Sequence, residues 1–550
     1  MSNTIPPRDL AGRFGGQGAF QTNTPAPATM FTKLDNAECN LRLALTTGIE
    51  HLAKTEAVPE GTPVPAIVIA ASPGAGKSRI ARELLGDLAG NDPIVFHAPT
   101  LALSEEAAGH AHELAGNAHV LRGRTAADPA DPDKKMCRKS ELVQRGIRLG
   151  LNIRESFCEH GEARCPHADS CAYLSQFTAA NALGHRYMAT SYLGLPDPDG
   201  YGGIIRVVDE TFWAQQLSFV TIGIDAFRSP RTFLRHYTKE DGRVEAHAEL
   251  IAAAHALTET MMAGKSPLDL PYTEDNYRAF ALLEYKAQAD IPVPNPDQPE
   301  TQQSGLLARG EDVLRDVSWY AAIWSCLADS KQRGRATTER LRLTHSPSGT
   351  VLRVCRRRAQ HHRQPMLILD ADADLEILSA LGVEPHRSTN MVLRPNADIV
   401  QIHDRRMTLG SLLKGAELRE DWRRVICREV LADRKGQGGG VLVGASRKVV
   451  LRFFEDAGHN FLGLRDEEVS WRMLETPLHG AHWLWYGARA LGTNRYRTCS
   501  TVIAIGREEL PAEALEDYGR ALWGDRAGTD LAFVHPDDSS MLRMPEIEGF

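Results

Sequence analysis

The run Ala66-Ile67-Val68-Ile69-Ala70 passes without a break into Ala71-Ser72-Pro73-Gly74-Ala75-Gly76-Lys77-Ser78, and Ser78 to Leu88 then carries helical spacing. A short β-branched apolar stretch of this kind predicts a buried parallel strand. Two glycines directly after it let the backbone turn sharply and present free N–H groups at the start of a helix. The turn fits G-x-x-x-x-G-K-[ST] except that Ala71 stands where the first glycine is usual. Strand, turn and helix together commit the chain to an α/β fold and predict a cradle for phosphate oxygens. Pro73, Gly74, Ala75, Gly76, Lys77, Ser78 and Arg79 are the expected nucleotide contacts. Lys77 would reach the β- and γ-phosphates of ATP, and the Ser78 hydroxyl would enter a Mg²⁺ shell.

A phosphate loop needs a carboxylate to hold magnesium and orient water. Val207-Val208-Asp209-Glu210, an apolar run ending in two acids, supplies one. Asp209 is expected beside the metal and Glu210 where it polarises the attacking water. Lys77, Asp209 and Glu210 are therefore the candidate catalytic residues.

The strand–helix pattern repeats at Ile94–Phe96 with a helix from Leu101 to Leu114, and strands are expected at Arg186–Thr190 and Ile204–Val208. This alternation predicts a doubly wound parallel sheet. A helix from Ala37 to Lys54 precedes it, closed by Pro59, Pro63 and Pro65. Residues 1–35, rich in Pro, Gly, Thr and Gln, read as a flexible tail. From Asp225 to Leu343 the sequence turns helical, including Ala246–Ala263 and Val313–Leu327, with a Pro/Asp/Gln-rich break at Asp290–Gln303. Short strands return at Met366–Leu369, Ile399–Ile402, Gly440–Val443, His482–Tyr486 and Val502–Ile505. No internal repeat appears. Two α/β lobes with two insertions is the simplest architecture.

The first insertion carries Cys137, Cys158, Cys165 and Cys171 within 35 residues, out of nine cysteines in all. Four thiolates from one polar segment suit a tetrahedral S₄ site for zinc or an iron–sulfur cluster. The intervening gaps of 20, 6 and 5 residues lack the paired C-x-x-C knuckles of structural zinc, which favours [4Fe–4S] with zinc as the alternative. His160 and His167 are substitute ligands. Cys39, Cys326, Cys355, Cys427 and Cys499 are scattered and read as packing residues.

At 550 residues the chain is long enough for about three or four domains. A formal charge of -8 means that any nucleic-acid contact must come from local basic grooves. No apolar run approaches the roughly 18 residues of a membrane span. The first residues lack the apolar core of a secretory signal, and an odd cysteine count fits reduced thiols, so a cytoplasmic location without membrane contact is expected.

The order of these motifs resembles the iron–sulfur superfamily 2 helicases of the DinG/XPD type. The likeness runs from about Pro65 to Gly524. It rests on the phosphate loop, Ala98-Pro99-Thr100-Leu101, the four cysteines, Tyr187-Met188-Ala189-Thr190-Ser191-Tyr192-Leu193, and Val207-Val208-Asp209-Glu210 in that order. Leu367-Ile368-Leu369-Asp370-Ala371-Asp372-Ala373 looks like the family's coupling motif. Gly440-Val441-Leu442-Val443-Gly444-Ala445-Ser446 looks like the strand opening the second motor lobe. Ala488-Arg489-Ala490-Leu491-Gly492-Thr493-Asn494 is similar to the Arg-Gly-Thr-Asn motif of phage- and plasmid-borne relatives, with Arg489 two residues further from Gly492 than usual.

The resemblance implies two RecA-like lobes, 36–224 plus 345–392 and 393–550, with a metal-cluster insertion at 115–185 and a helical arch at 225–344. It also implies an ATP-driven single-stranded DNA translocase or helicase moving 5′ to 3′ on single strands or forks, with Arg489 at the nucleotide. A replication, repair or mobile-element protein is the expected partner. The last helicase motif, Gln-x-x-Gly-Arg-x-x-Arg, is not found in the chain, which ends at Met544–Phe550. That motif carries the arginine finger, so slow turnover is expected, with Arg489, Arg495 and Arg507 as substitutes.

Arg353, Arg356, Arg357, Arg358 and Arg363, and the run from Lys331 to Arg342, are candidate DNA-track cations. Trp213 and Tyr192 are candidate base-stacking rings, and Thr100 matches a family phosphate contact. Two other functions compete with the motor: a slow nucleotide-switched DNA-binding subunit, and a zinc-stapled P-loop ATPase that does not act on DNA.

Overall fold

The structure is a computed structural model. It describes residues 34–88, 93–115, 118–177, 184–197, 203–231, 243–286, 293–314, 316–346, 349–358, 361–394, 397–402, 407–436, 438–487, 495–506 and 510–526. The chain forms two compact units, one holding the described residues 34–393 and 512–526 and the other 394–511.

The larger unit is mixed α/β, built on a seven-stranded sheet. Its order is Val383–Met391, Val64–Ala71, Met366–Asp370, Ile205–Asp209, Ile94–Ala98, His185–Ala189 and Ala118–Val120. All neighbouring pairs run parallel. The central strands are buried along their whole length, as their largely apolar sequences require of a sheet covered on both faces, and they carry His97 and Arg206 into the interior. On one face the helices Leu34–Ala53 and Lys77–Leu88 set Leu41, Leu45, Ile49 and Ile80 against Ile67, Ile69, Phe96, Val207 and Leu367. On the other, Val68, Val208 and Ile368 pack with Leu193, Phe212 and Leu378.

The strand Met366–Asp370 lies between the phosphate-loop strand and the acid strand, although it comes long after both in sequence. Its register pairs Ala70 with Asp370 and Leu369 with Asp209. Three strand ends, carrying Ala71, Asp370 and Asp209, are thereby lined up along one edge.

The cysteine segment contains the helix Ser140–Arg148, a single π-type turn at Arg154–Cys158 and two short hairpins, Ala127–Asp128 with Asp131–Lys135 and Glu159–His160 with Ala163–Arg164. The following segment is helical as expected, with Arg243–Met262, Glu274–Lys286, Glu300–Leu314 and Val317–Gln332. Its core, centred on Trp324, Tyr277, Phe280 and Leu257, is shared with the strand residues Val220, Ile222, Leu352 and Val354. It does not remain helical to 344. Leu341–Ser346 and Gly349–Arg357 form a hairpin that joins Leu217–Gly223 in a three-stranded antiparallel sheet.

The expected second lobe, 393–550, also differs from the structure. Its helix Ala512–Trp523 packs on that antiparallel sheet of the larger unit, with Ala521 and Leu522 against Leu217 and Cys355. Apolar spacing alone does not say which sheet a helix will cover.

The smaller unit holds a three-stranded parallel sheet in the order His482–Trp485, Val441–Ala445, Thr501–Ala504. The helices Ala416–Lys435 and Arg447–Asp456 cover it, enclosing Ile426, Val450, Phe453, Phe454 and Trp483. Ile399–Ile402 is not a strand: Ile399 is 77% and Val400 56% exposed, and two apolar residues between polar ones bury too little to hold a ladder. Among the described residues no helix is long and apolar enough to cross a membrane.

Candidate nucleotide site and cysteine cluster

The turn after Val64–Ala71 closes as its glycines demand. Gly74 has φ +79° and Gly76 φ +88°, both in the left-handed region that side-chain-bearing residues disfavour. The Ala75 amide donates to the Ser72 carbonyl at 3.2 Å, and the Ile80 amide to the Gly76 carbonyl at 2.9 Å, starting the helix. Pro73 and Gly74 are exposed at the tip. Lys77 is buried, and its Nζ donates to the Ala71 carbonyl at 2.7 Å.

The Ser78 hydroxyl donates to Asp209 Oδ1 at 2.7 Å. The two residues meet because the acid strand lies one strand away from the phosphate-loop strand, with their ends level. Asp209 is buried, which pushes its pKa up to about 6; the Ser78 hydrogen bond opposes this, the Glu210 charge adds to it, and Arg82 and Lys77 lower it. Glu210 is also raised, by burial first and by the Asp370 charge, with Lys77 opposing.

Glu210 has φ +67°, an unusual conformation for a side-chain-bearing residue. Its amide donates to the Leu369 carbonyl at 2.7 Å, which holds the turn in place. Asp370, buried beside it, accepts from Thr211 Oγ1 at 3.1 and 3.2 Å and from the Asp372 amide at 3.2 Å. Thr211 and Ser72 escaped sequence reasoning. Each sits immediately beside a recognised motif residue and differs in no way from an ordinary loop hydroxyl until the strands are placed.

Arg79, expected at the nucleotide, is half exposed and tied to Glu83 at 2.8 Å and Glu38 at 3.0 Å. As the third residue of its helix, it meets Glu83 one turn on and Glu38 of the neighbouring helix. Arg489 and Arg507 lie outside the described residues, and Arg495 is paired with Glu475 at 2.5 Å.

The arginine runs expected on a DNA track are largely committed elsewhere. Arg353 and Arg342 bind Asp517 at 2.5 and 3.0 Å, Arg340 and Arg357 bind Asp525 at 2.9 and 3.2 Å, and Arg333 also reaches Asp525. Trp213 stacks edge-on against Tyr518 in an apolar cluster, and Tyr192 packs beside Val95, Leu121 and Met188. Thr100 Oγ1 caps the following helix by accepting from the Leu103 amide at 3.3 Å.

The four cysteines of the insertion are brought to one region. Cys158 ends the π-type turn and Cys165 follows the hairpin, with the Cys165 amide donating to the Cys158 carbonyl at 2.9 Å. Cys171 Sγ lies 4.0 Å from the Met136 carbonyl, next to Cys137. Burial, with smaller contributions from Cys171 and Cys158, pushes the Cys137 thiol up to about 11. Burial likewise raises Cys158, to which Cys165 and Cys171 add while Arg124 opposes. Four neighbouring sulfurs suit a soft cation in donor chemistry. Among the described residues, however, no three His, Cys, Asp or Glu side chains are already arranged as metal ligands. Cys326 and Cys355 are buried in apolar clusters, as expected of packing residues.

No protein-family model matches the chain, and no curated protein matches it.

Proposed function

We propose that the chain binds magnesium–ATP at residues 72–78 and 209–210 and uses its hydrolysis to move along single-stranded DNA, as a motor of two RecA-like lobes. One observation carries the nucleotide part: the 2.7 Å bond from Ser78 to Asp209, joining residues 131 apart in sequence beside a buried lysine. A hydroxyl and a carboxylate in contact at the start of a helix are the protein's share of a magnesium shell, and the helix N-terminus favours the phosphate charge.

Bound magnesium–ATP supplies the transferable phosphoryl group. The chain's own residues do the rest. Lys77 and the amides around Gly74 and Gly76 hold the phosphate oxygens. The Glu210 carboxylate takes the proton of the attacking water, and a raised pKa makes it the stronger base. The DNA part rests on the order of motifs alone. The thiolates of Cys137, Cys158, Cys165 and Cys171 would hold [4Fe–4S] or zinc, whose contribution is to cross-link the insertion.

A second reading is favoured by the pairing of the two arginine runs with Asp517 and Asp525, which withdraws them from a DNA track. In that reading the chain is a zinc-stapled P-loop ATPase that does not act on DNA. ATP turnover with and without single-stranded DNA, on wild type and Lys77→Ala, decides between them. The motor reading expects DNA to stimulate wild type and Lys77→Ala to lose at least about 100-fold, the usual effect of deleting one transition-state donor. Turnover indifferent to DNA, and no DNA binding with or without ATP, would leave only the ATPase that does not act on DNA. Equal turnover by Lys77→Ala would remove the nucleotide site itself.

A further inference from the structure

Ser72 stands at the entrance of the phosphate loop and is bound on both backbone and side chain to the segment from which the chain leaves the larger unit. Its amide donates to the Met391 carbonyl at 2.9 Å, and its Oγ accepts from the Leu393 amide at 3.0 Å. Leu393 is the last residue of this unit before Arg394 opens the smaller one. The strand Val383–Met391 pairs with Val64–Ala71, with one register shift between Val68 and Ile69, up to Ala71 opposite Met391, so the Ser72 contacts extend that ladder past the ends of both strands.

The same two loop residues, Ala71 and Ser72, also hold the donors that a triphosphate needs. Lys77 Nζ rests on the Ala71 carbonyl, and the Ala75 amide on the Ser72 carbonyl at 3.2 Å. Phosphate oxygens compete for both. A charge-assisted bond from Lys77 or a loop amide to phosphate is stronger than a bond to a neutral carbonyl, so the ligand wins that competition. The carbonyls of Ala71 and Ser72 are released together, and the peptide carrying the Ser72 hydroxyl shifts with them.

We propose that Ser72 is a positioning residue that links phosphate occupancy of the loop to the exit segment Met391–Leu393, and through it to the tether of the smaller unit. The proposal rests on the nucleotide site proposed above. The hydroxyl is required because, among the described residues, it is the acceptor of the Leu393 amide, at the last residue of the larger unit.

The test is hydrogen exchange at the amides of Met391–Arg394 in the full chain, with and without magnesium and β,γ-imido-ATP, alongside the affinity for that nucleotide. Wild type is expected to change exchange at Leu393 by about tenfold on binding, the equivalent of 1.4 kcal/mol. Ser72→Ala is expected to bind about three- to tenfold more weakly, as loss of one neutral hydrogen bond predicts, and to lose the nucleotide-dependent change. Ser72→Thr, which keeps the hydroxyl, is expected to retain it. A merely structural serine would alter the basal exchange and leave the nucleotide-dependent difference intact, and that result overturns the proposal. So does a wild type that binds nucleotide without any change at Leu393. If wild type binds no nucleotide, or Lys77→Ala binds as well, the site reading fails first and takes the coupling with it. Should Ser72→Ala not fold, Ser72→Cys replaces it, since a thiol of similar size is a weak acceptor.

Discussion

Asp517, 1% exposed on the helix Ala512–Trp523, accepts from Arg353 at 2.5 Å and from Arg342 at 3.0 Å. The arginines come from facing positions of the hairpin Leu341–Ser346 and Gly349–Arg357, where Arg342 and Arg353 are direct cross-strand partners. Two like charges placed opposite each other destabilise a hairpin unless an anion sits between them. Asp517 is that anion, and Asp525 likewise takes two guanidiniums, Arg340 and Arg357, which are not direct cross-strand partners. This pairing accounts for Arg340, Arg342, Arg353 and Arg357 without nucleic acid.

Asp517→Asn therefore leaves two neighbouring guanidiniums facing a neutral amide. Both are only about a quarter exposed, so water recovers part of the loss. The expected cost is about 3 kcal/mol, the low end for breaking a buried pair. A fall in the urea midpoint at constant slope measures it. A change below about 0.5 kcal/mol would show that the acid is dispensable and would return the arginines to the pool of candidate DNA contacts.

Glu210 sits against its backbone preference. At φ +67° a residue with a Cβ carries roughly 1 kcal/mol of strain that glycine does not. Glu210→Gly is expected to raise stability by about 1 kcal/mol while abolishing ATP turnover, whereas Glu210→Gln keeps the strain and also loses turnover. Thermal melting paired with single-turnover kinetics reads both. If Glu210→Gly were destabilised, the carboxylate would have a structural role larger than the strain.

A buried polar network is built on the strands Ile94–Ala98 and Ile205–Asp209. Arg206, fully buried, donates to His97 Nε2 at 2.7 Å, contacts Asp197 and reaches Gln364 at 3.4 Å, while His362 Nδ1 lies 3.3 Å from Asp197. Burial holds His97 well below its usual 6.5, helped by the charges of Arg206 and His362. His185 is lowered too, by burial and Arg186. Asp197 is raised by burial but lowered further by His362 and Arg206, so its net direction is down.

The signs agree. A histidine whose folded pKa is depressed stays neutral in the fold and takes its proton only on unfolding, so stability is full above about 6.5 and falls below it. A depressed aspartate contributes stability above its unfolded value, near 3.8, which is lost as pH drops through that region. Urea midpoints are expected to be flat from pH 8 to 7 and to decline below 6.5, by at most about 1.4 kcal/mol per pH unit for each proton. The decline should steepen below 4. Asp209 and Glu210, raised by burial, oppose this decline below about pH 6, so the comparison with His97→Gln carries the test. That variant should blunt the first stage, and a decline as steep as in wild type contradicts the assignment.

The first half of the fold could be read from the sequence because its physics is local. A buried parallel strand is an unbroken apolar run, and a phosphate loop announces its own turn through Gly74, Gly76 and Lys77. The strand at Met366–Asp370 was readable as an element, but its insertion between Val64–Ala71 and Ile205–Asp209 is a property of topology. Only that insertion brings Asp370 to Thr211 and Glu210. The Leu341–Arg357 hairpin was hidden because its arginines looked like a solvated charge run, and the acids that bury them lie more than 150 residues later. Amphipathic helices such as Ala416–Lys435 carry their apolar face diluted among charges, which hid them from a search for apolar runs.

Gly146 tests whether the cysteine insertion is a packed body. A Cβ there would lie 2.6 Å from Phe157 Cε2 and 3.2 Å from Ile153 Cδ1. Phe157 is 1% exposed, shares a core with Leu142, Val143, Leu307 and Val317, and directly precedes Cys158. The ring has no room to retreat, so overpacking at about 1–3 kcal/mol outweighs the gain of up to about 1 kcal/mol that alanine gives over glycine in a helix. Gly146→Ala is therefore expected to speed protease cleavage of the Glu159–Arg164 hairpin and to weaken uptake of zinc or iron by the purified chain. Gly86→Ala, in a helix where a Cβ would meet nothing within 4 Å, is the control and should stabilise slightly. Equal protease resistance in wild type and Gly146→Ala would mean that the Phe157 core does not hold the cysteines in place, and the insertion would have to owe its shape to the metal alone.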